Sequence, residues 1–328
     1  MNRLLAKVID EYALYQLHRQ KSVTSQFKAL ESISMPENPT LFYFEPKTPN
    51  LIFEDMSNSG NYQTGSFKYK SEVENAKCNE YATGTFFQNK QNTSLNVILV
   101  HGWRQDTERI KAIYLNPFMN HGYDMYFVTL PHHTERQDST LSYNGEFMIS
   151  ANIERTLSSV RQAVVDLRAL ISWLRANRPA PVVLVGISLG GLIVNLAATS
   201  EKNIDGAITV FSPNSLSHAI WHNVPGKYIK RDFEESDYTY DQLKTQWAML
   251  NTGNFDIMMP KEKVLILSAL HDRYIDFKDA SRLWEKWDKP ERKLYHCGHA
   301  GIVLYKKSIA EDSVEFIERK VMEGAKMR

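Results

Sequence analysis

The chain has 328 residues, 43% of them hydrophobic, which is enough to bury a large core in one alpha/beta domain. Its 39 Lys and Arg residues balance 38 Asp and Glu residues, and the net charge of +1 argues against nucleic acid as a partner. Cys78 and Cys297 lack the CxxC spacing of zinc sites and indicate no disulfide framework, so we expect a cytoplasmic protein without metal or cofactor.

The N-terminal residues carry apolar side chains at helical spacing, interrupted by Lys7, Asp10, Glu11 and Arg19. A signal peptide has an unbroken apolar core, so this pattern predicts an ordinary surface helix. The sequence contains no stretch of about 18 consecutive apolar residues, the minimum for a membrane-spanning helix, and we therefore expect no membrane span.

Short aromatic and beta-branched runs, broken by Asn, Gly, Ser and Pro, fill the region from Leu41 to about Phe87. They predict antiparallel strands joined by turns at one edge of a sheet. The runs are LFYF, NLIF, FKYK and TGTFF. We interpret residues 1–328 as a single domain in which residues 1–94 supply the N-terminal helix and these edge strands.

Continuously apolar runs follow, as is typical of strands buried on both faces of a parallel sheet. The predicted strands are Asn96–Val100, Met125–Leu130, Val182–Val185, Ala207–Phe211, Val264–Leu267 and Lys293–His296. The predicted helices between them are Glu108–Phe118, Ser158–Asn177 and Leu192–Ala198, and one apolar stripe on the second comprises Val160, Val164, Leu167, Ile171 and Leu174. This alternation predicts a mostly parallel alpha/beta sheet with helices on both faces.

Residues from about 213 to 260 interrupt this alternation with aromatic residues scattered among charges. Helical periodicity is visible only in Tyr240–Leu250. An insertion over the carboxyl edge of the sheet is predicted, either a cap that acts as a lid or a pair of packing helices without a gating role.

The segment Gly186-Ile187-Ser188-Leu189-Gly190 has the G-x-S-x-G form of a nucleophile elbow, and it follows a predicted strand and precedes a predicted helix. Such a sharp turn strains the serine backbone and leaves room only for very small residues two positions before and after it. The pattern predicts that Ser188 is a nucleophile, and that the free N–H groups at the N-terminus of the next helix favour the negative charge that develops at the reacting centre.

An acid and a base are expected where later strands end. Asp272 follows the strand VLIL, and His299 follows KLYH, so the order serine, acid, histidine matches that of this type of site. His299 would transfer the proton of Ser188, and Asp272 would orient the imidazole. Asp276 is an alternative acid that would otherwise cap a helix. His271 and His296 are alternative histidines.

Acyl transfer also requires backbone donors for an oxyanion, and we predict that the N–H groups of Trp103 and Leu189 form this oxyanion hole. His101 is interpreted as a support of the loop after the first parallel strand. His132 and His133 follow Pro131 on a loop expected to face the site.

Adjacent residues in an extended loop point apart, so we do not interpret His132 and His133 as a metal site. They and Trp221 of the insertion are candidate substrate contacts instead.

Together, the elements VILVHGW, LPHHTER, SSVRQAVVDLRALISWLRAN, VGISLGG, LHDRYID and CGHAG resemble a family of alpha/beta-hydrolase-domain proteins related to dienelactone hydrolases and acetyl-xylan-type esterases, over about Val97 to Tyr305. The resemblance implies the alpha/beta-hydrolase fold with an eight-stranded sheet, and the same nucleophile, acid, base and oxyanion donors. A dienelactone hydrolase would carry a cysteine where Ser188 stands.

These features predict a serine hydrolase that cleaves a small-molecule carboxylic ester. A peptidase or amidase and an acyltransferase would use the same three residues. A non-catalytic binding protein on a hydrolase fold is the alternative of a different class, and the presence of all three residues argues against it.

Overall fold

The computed structural model describes residues 1–20, 26–30, 37–91 and 93–323. Within these ranges, nine strands form one sheet in the order β1-β2-β3-β5-β4-β6-β7-β8-β9. The strands are β1 (Ile52–Ser59), β2 (Tyr62–Lys70), β3 (Tyr81–Asn89), β4 (Asn96–Val100), β5 (Asp124–Thr129), β6 (Val182–Ile187), β7 (Gly206–Val210), β8 (Val264–Ala269) and β9 (Glu291–Tyr295).

The helices of the described ranges are α1 (Arg3–Arg19), α2 (Pro39–Phe42), α3 (Glu108–Asn120), α4 (Ile153–Asn177), α5 (Leu189–Ala198), α6 (Leu216–His222), α7 (Lys227–Glu234), α8 (Tyr240–Gln246), α9 (Phe277–Lys286) and α10 (Lys306–Ile317). In this part of the chain, no helix is both long and apolar enough to span a membrane.

The sheet is mostly parallel, which confirms the predicted fold class. Strands β5, β4, β6, β7, β8 and β9 run parallel to one another. Strands β1, β2 and β3 are antiparallel, and β3 joins the parallel part through β5. The sheet has nine strands where the resemblance implied eight, because three antiparallel strands precede the six parallel ones.

Both faces of the central strands are buried, as their continuous apolar sequences predict. In β4, Ile98 and Val100 belong to a core that includes α4 and α5 residues, whereas Val97 and Leu99 belong to a core with α3 and α10. This division follows from the alternation of side chains along a strand. The two cores hold the carboxyl ends of the parallel strands in fixed positions.

The predicted apolar stripe of α4 lies on the sheet, and each of its five residues is at most 1% exposed. The helix begins at Ile153, five residues before the predicted start, because the Asn152 side chain accepts the N–H of Arg155 and caps it. Burial of one such side chain stabilises the fold by about 1.5–3 kcal/mol.

Two predictions about the less regular segments were wrong. The LFYF run is not a strand: its first residues lie in α2, where Pro39 occupies the first turn and Asn38 caps the helix. The insertion 213–260 contains α6 and α7 in addition to α8. These helices have seven and eight residues, too few for a clear 3.6-residue periodicity in the sequence.

Helix α1 is also different from the ordinary surface helix that we predicted. Ala6, Asp10 and Leu14 form a buried face, although the opposite face is exposed. This buried face lies against the loops that follow β8 and β9.

Candidate active site

Ser188 lies at a sharp turn between β6 and α5. Its backbone angles are φ 55° and ψ −118°, a strained conformation for a residue with a side chain. The Ser188 N–H donates to the carbonyl of Val210 at 2.8 Å, which holds the turn against the end of β7. The predicted strain at this serine is therefore present.

The two glycines of the motif are needed for close approach of backbone to backbone. A Cβ on Gly190 would lie 2.2 Å from the carbonyl oxygen of Val100, and one on Gly186 would lie 2.3 Å from the oxygen of Gly190. The start of α5 therefore packs directly against the end of β4. This contact brings the N-terminus of α5 beside the loop that contains Trp103.

Ser188, His299 and Asp272 come together at the carboxyl ends of β6, β9 and β8. The Ser188 Oγ lies 3.1 Å from Nε2 of His299, and Nδ1 of His299 lies 2.8 Å from Oδ2 of Asp272. The other carboxylate oxygen of Asp272 accepts the N–H groups of Tyr274 and Ile275, at 2.7 and 2.9 Å. This arrangement allows a proton to move from the hydroxyl to an imidazole whose orientation is held by a carboxylate.

The electrostatic environment of His299 favours its charged form. Burial lowers the pKa of the imidazole, but the carboxylates of Asp272 and Asp10 raise it by more, and the positive charge of Arg109 opposes them. The pKa of His299 is therefore above its ordinary value. Negative charge beside a proton-accepting imidazole is what a general base requires.

The alternative acid and histidines lie elsewhere. Asp276 caps α9 by accepting the N–H of Lys278 at 2.9 Å. This is the role expected from the sequence for Asp276 if it is not the acid. His296 is exposed, and its ring lies 6.3 Å from that of His271. Neither histidine has a hydrogen bond to Ser188 among the residues that the structure describes.

Trp103 and Leu189 both line the same cleft as Ser188 and His299. Within the described ranges, neither of their N–H groups donates to another residue, so both are free to bind an oxygen of a ligand. The indole of Trp103 donates to the carbonyl of Gly145 at 2.8 Å and anchors the loop. Leu189 is the first residue of α5, where the helix dipole favours negative charge.

The prediction that His132 and His133 face the substrate requires correction. Both side chains are completely buried, and neither lines the cleft. His133 Nε2 accepts the N–H of Arg104 at 3.2 Å, next to Trp103. Burial keeps the imidazole neutral, because it lowers the pKa of His133 well below its ordinary value. His133 therefore stabilises the loop of Trp103 through this hydrogen bond, from the buried side of the loop and not from the cleft.

His132 and His101 also stabilise loops. The Asn79 side chain bonds both the ring and the N–H of His132, and burial lowers the pKa of His132 to about 3. His101 Nε2 accepts the N–H of Leu130 at 3.1 Å, and burial lowers the pKa of His101 to about 4. These neutral imidazoles act as hydrogen-bonding groups within the fold.

Trp221, the third candidate contact, does not line the cleft either. Its ring packs within the insertion, 6.2 Å from the ring of Phe233 and 5.9 Å from that of Tyr240. The neighbouring face of α6 lines the cleft instead, through Leu216, Ala219 and Ile220. Sequence alone does not indicate which face of such a short helix meets the site.

The cleft above Ser188 has a volume of about 920 Å³. Apolar residues of α6 form one part of its wall. Helix α1 and the residue that follows it form another part, through Tyr12, Ala13, Gln16, Leu17 and Gln20. In the described ranges, no group of three or more His, Cys, Asp or Glu side chains has an arrangement suited to a metal ion.

Sequence reasoning missed two residues of this site. Tyr274 stacks on the His299 ring, and Asp10 accepts the N–H of His299. The only sequence signal for Asp10 was its spacing of four residues from Ala6 and from Leu14. This spacing places a charged residue on the same face of α1 as two apolar residues, and that face is buried.

Comparison with known proteins agrees with this fold. Residues 97–306 match the model of the Alpha/beta hydrolase family, over nearly the same range as the motifs that carry the resemblance. The chain is 43% identical over 115 residues to the uncharacterized protein YdjC of Bacillus subtilis (strain 168), which covers 35% of this chain and 99% of the relative.

A second relative is the uncharacterized protein Rv2627c of Mycobacterium tuberculosis (strain ATCC 25618 / H37Rv). It is 29% identical over 143 residues, or 43% of this chain, and the match spans a third of the relative's own length (33%). Among solved structures, an acetyl xylan esterase from Paenibacillus sp. R4 superposes with a TM-score of 0.63 at 15% identity, covering 94% of this chain and 99% of the esterase. The predicted resemblance is confirmed at the level of family and fold.

Proposed function

Because the chain belongs to the alpha/beta hydrolase family, we propose that it is a serine hydrolase that cleaves small-molecule carboxylic esters through an acyl-enzyme. The observation that carries this proposal is the continuous hydrogen-bonded chain from the Ser188 hydroxyl through His299 to Asp272. The strained turn at Ser188 and its place in an open cleft support it. The esterase with a similar fold agrees with the proposal, although its likeness concerns the fold alone.

In the first half of the reaction, Ser188 Oγ attacks the ester carbonyl carbon while His299 Nε2 takes the hydroxyl proton. Asp272 stabilises the imidazolium that forms. The carbonyl oxygen becomes an oxyanion and accepts the N–H groups of Trp103 and Leu189. Removal of one such donor typically slows catalysis about 100- to 1000-fold.

Collapse of this intermediate breaks the carbon–oxygen bond of the ester, and His299 returns its proton to the departing alcohol. The acyl group is then bound to Ser188. In the second half, His299 removes a proton from a water molecule, which attacks the acyl carbon. The proton finally returns to Ser188 Oγ, and the products are one alcohol and one carboxylic acid.

We assign the apolar wall of α6 to the acyl part of the substrate. Leu216 and Ile220 line the cleft and are 2% and 3% exposed, so packing within the fold fixes their positions. Segment 213–260 serves in this proposal as a cap that shapes the cleft. Apolar residues in fixed positions bind an acyl chain at little entropic cost.

The test is hydrolysis of p-nitrophenyl esters of increasing acyl length by wild type, Ser188→Ala and Ser212→Ala. Ser212 is a matched control because it is a nearby buried serine whose Oγ contacts Asn195. We expect Ser188→Ala to lower kcat by about 10⁶-fold and Ser212→Ala to retain activity. Equal activity of wild type and a folded Ser188→Ala would contradict the proposal.

Ester and amide cleavage are separated by the same assay with p-nitroanilides of identical acyl groups. The proposal expects the ester to have the higher kcat/KM. Faster cleavage of the anilide would make the protein an amidase, and transfer of the acyl group to an added alcohol would identify an acyltransferase.

A further inference from the structure

Asp10 is a carboxylate at the centre of α1, and its side chain is fully buried. Its two oxygens accept three backbone N–H groups, those of Arg273, His299 and Ala300, each at 2.9 Å. Arg273 follows Asp272 in the chain. One side chain of α1 therefore bonds directly to both loops of the proposed catalytic site.

The loop before His299 has a residue that permits this contact. A Cβ on Gly298 would lie 2.5 Å from the carboxyl carbon and both oxygens of Asp10. Any side chain at position 298 would displace the carboxylate. The close approach therefore requires glycine at a position next to His299.

Asp10 also places a second negative charge near the imidazole. Burial and the charge of Asp272 raise the pKa of Asp10, and the three N–H groups that it accepts oppose this effect by stabilising the carboxylate. In turn, the Asp10 charge contributes to the raised pKa of His299.

The C-terminal end of α1 is held by the third loop of the site. Arg104 Nη1 donates to the carbonyls of Leu17 and Gln20, at 2.6 and 3.0 Å. Arg104 follows Trp103, the proposed oxyanion donor. Helix α1 thus contacts the acid loop, the histidine loop and the oxyanion loop, although it lies outside the segment that matches the family model.

We propose that Asp10 is a positioning residue for the hydrolysis: its carboxylate holds the Asp272 and His299 loops at a fixed separation, and its negative charge stabilises the imidazolium. The proposal rests on the proposed function. The charged or titratable groups that face His299 are Asp272, Asp10, Arg109 and Tyr274, so loss of Asp10 leaves one carboxylate beside the imidazole.

The test compares wild type with Asp10→Asn and with the control Glu11→Gln. Glu11 is the next residue of α1 and pairs with Arg273 at the surface, so its variant removes the same charge from an exposed position. We expect Asp10→Asn to reduce kcat about 10- to 100-fold, because its NH₂ group faces N–H donors that need an acceptor. The pKa of His299 falls, and the acid limb of the pH–rate profile moves to lower pH.

The second readout needs no turnover. In ¹⁵N-histidine-labelled protein, with His299 assigned from a His299→Gln variant, NMR titration gives the imidazole pKa directly. The proposal expects a lower value in Asp10→Asn and an unchanged one in Glu11→Gln. An unchanged His299 pKa together with an unchanged kcat in Asp10→Asn overturns it, as does an equal shift in Glu11→Gln.

If Asp10→Asn does not fold, the unmodified protein still decides the question. The amide protons of Arg273, His299 and Ala300 should respond together as Asp10 takes up a proton on acidification, and separate or absent responses overturn the proposal. These NMR results do not depend on ester cleavage. Failure of the proposed function appears separately, as equal ester hydrolysis by wild type and Ser188→Ala.

Discussion

The rings of Tyr274 and His299 are stacked, with their centroids 4.6 Å apart and their planes inclined by 15°. The Tyr274 N–H donates to Asp272 Oδ1, so the loop that supplies the acid also supplies a flat surface for the imidazole. Together, the stacking and the bond to Asp272 restrict rotation of the His299 ring.

The stacking predicts different effects for two Tyr274 variants. Tyr274→Ala should lower kcat about tenfold, because the imidazole gains freedom to leave the orientation that it needs for reaction. Tyr274→Phe keeps the ring and should retain most activity. Steady-state kinetics on a p-nitrophenyl ester measure both. A loss in Tyr274→Phe as large as in Tyr274→Ala would assign the effect to the hydroxyl instead.

The raised pKa of His299 predicts the pH dependence of the wild type. Protonated imidazole cannot accept the Ser188 proton, so kcat/KM should rise as the pH increases through the His299 pKa and level off above it. Since Asp272 and Asp10 outweigh the effect of burial, the midpoint should lie above 6.5, the ordinary value. A pH–rate profile with its midpoint below 6.5 would contradict this electrostatic account.

The two candidate acids should respond differently to the same substitution. Asp272→Asn removes the charge beside His299 and favours the wrong tautomer, so kcat should fall by about 10⁴-fold. Asp276→Asn should have little effect, because asparagine also caps helices well. Kinetics and thermal unfolding of both variants provide the measurement. The reverse ranking of kcat would move the acid to Asp276.

His133 should matter for stability and activity, although it does not line the cleft. His133→Leu leaves the N–H of Arg104 without an acceptor, which costs about 1–3 kcal/mol, and it releases the loop that positions Trp103. The urea concentration at the midpoint of unfolding and kcat should both be lower than in the wild type. His296→Leu changes an exposed histidine and serves as the control. Unfolding of His133→Leu at the wild-type urea concentration would show that this hydrogen bond has no structural role.

Local sequence pattern was sufficient for the parts of the site that depend on short segments. The G-x-S-x-G motif predicts its own strained turn, because a Cβ at position 186 would collide with the backbone of Gly190 and Gly191, a few residues along the chain. Asp272 and His299 were found because each follows a parallel strand, and carboxyl ends of such strands meet at one edge. The assignment of catalytic roles to them remains a prediction.

Contacts between distant segments were not predictable in this way. The residues whose N–H groups Asp10 accepts are 263 to 290 positions away in the sequence, and the sequence of α1 does not predict which residues they are. The prediction for His132 and His133 was wrong because side chains of a loop at a strand end can point either to the cleft or to the protein interior. Both of these side chains point to the interior. Trp221 was misplaced because a seven-residue helix has too few residues to show its buried face.

The most direct test of the account is labelling of wild type and Ser188→Ala with a fluorophosphonate, followed by mass spectrometry to identify the modified residue. Such a probe reacts with a serine hydroxyl that a neighbouring base has activated. The account predicts one label per chain, on Ser188 in the wild type and absent from the folded variant. No label on folded wild type, or a label elsewhere, would contradict it.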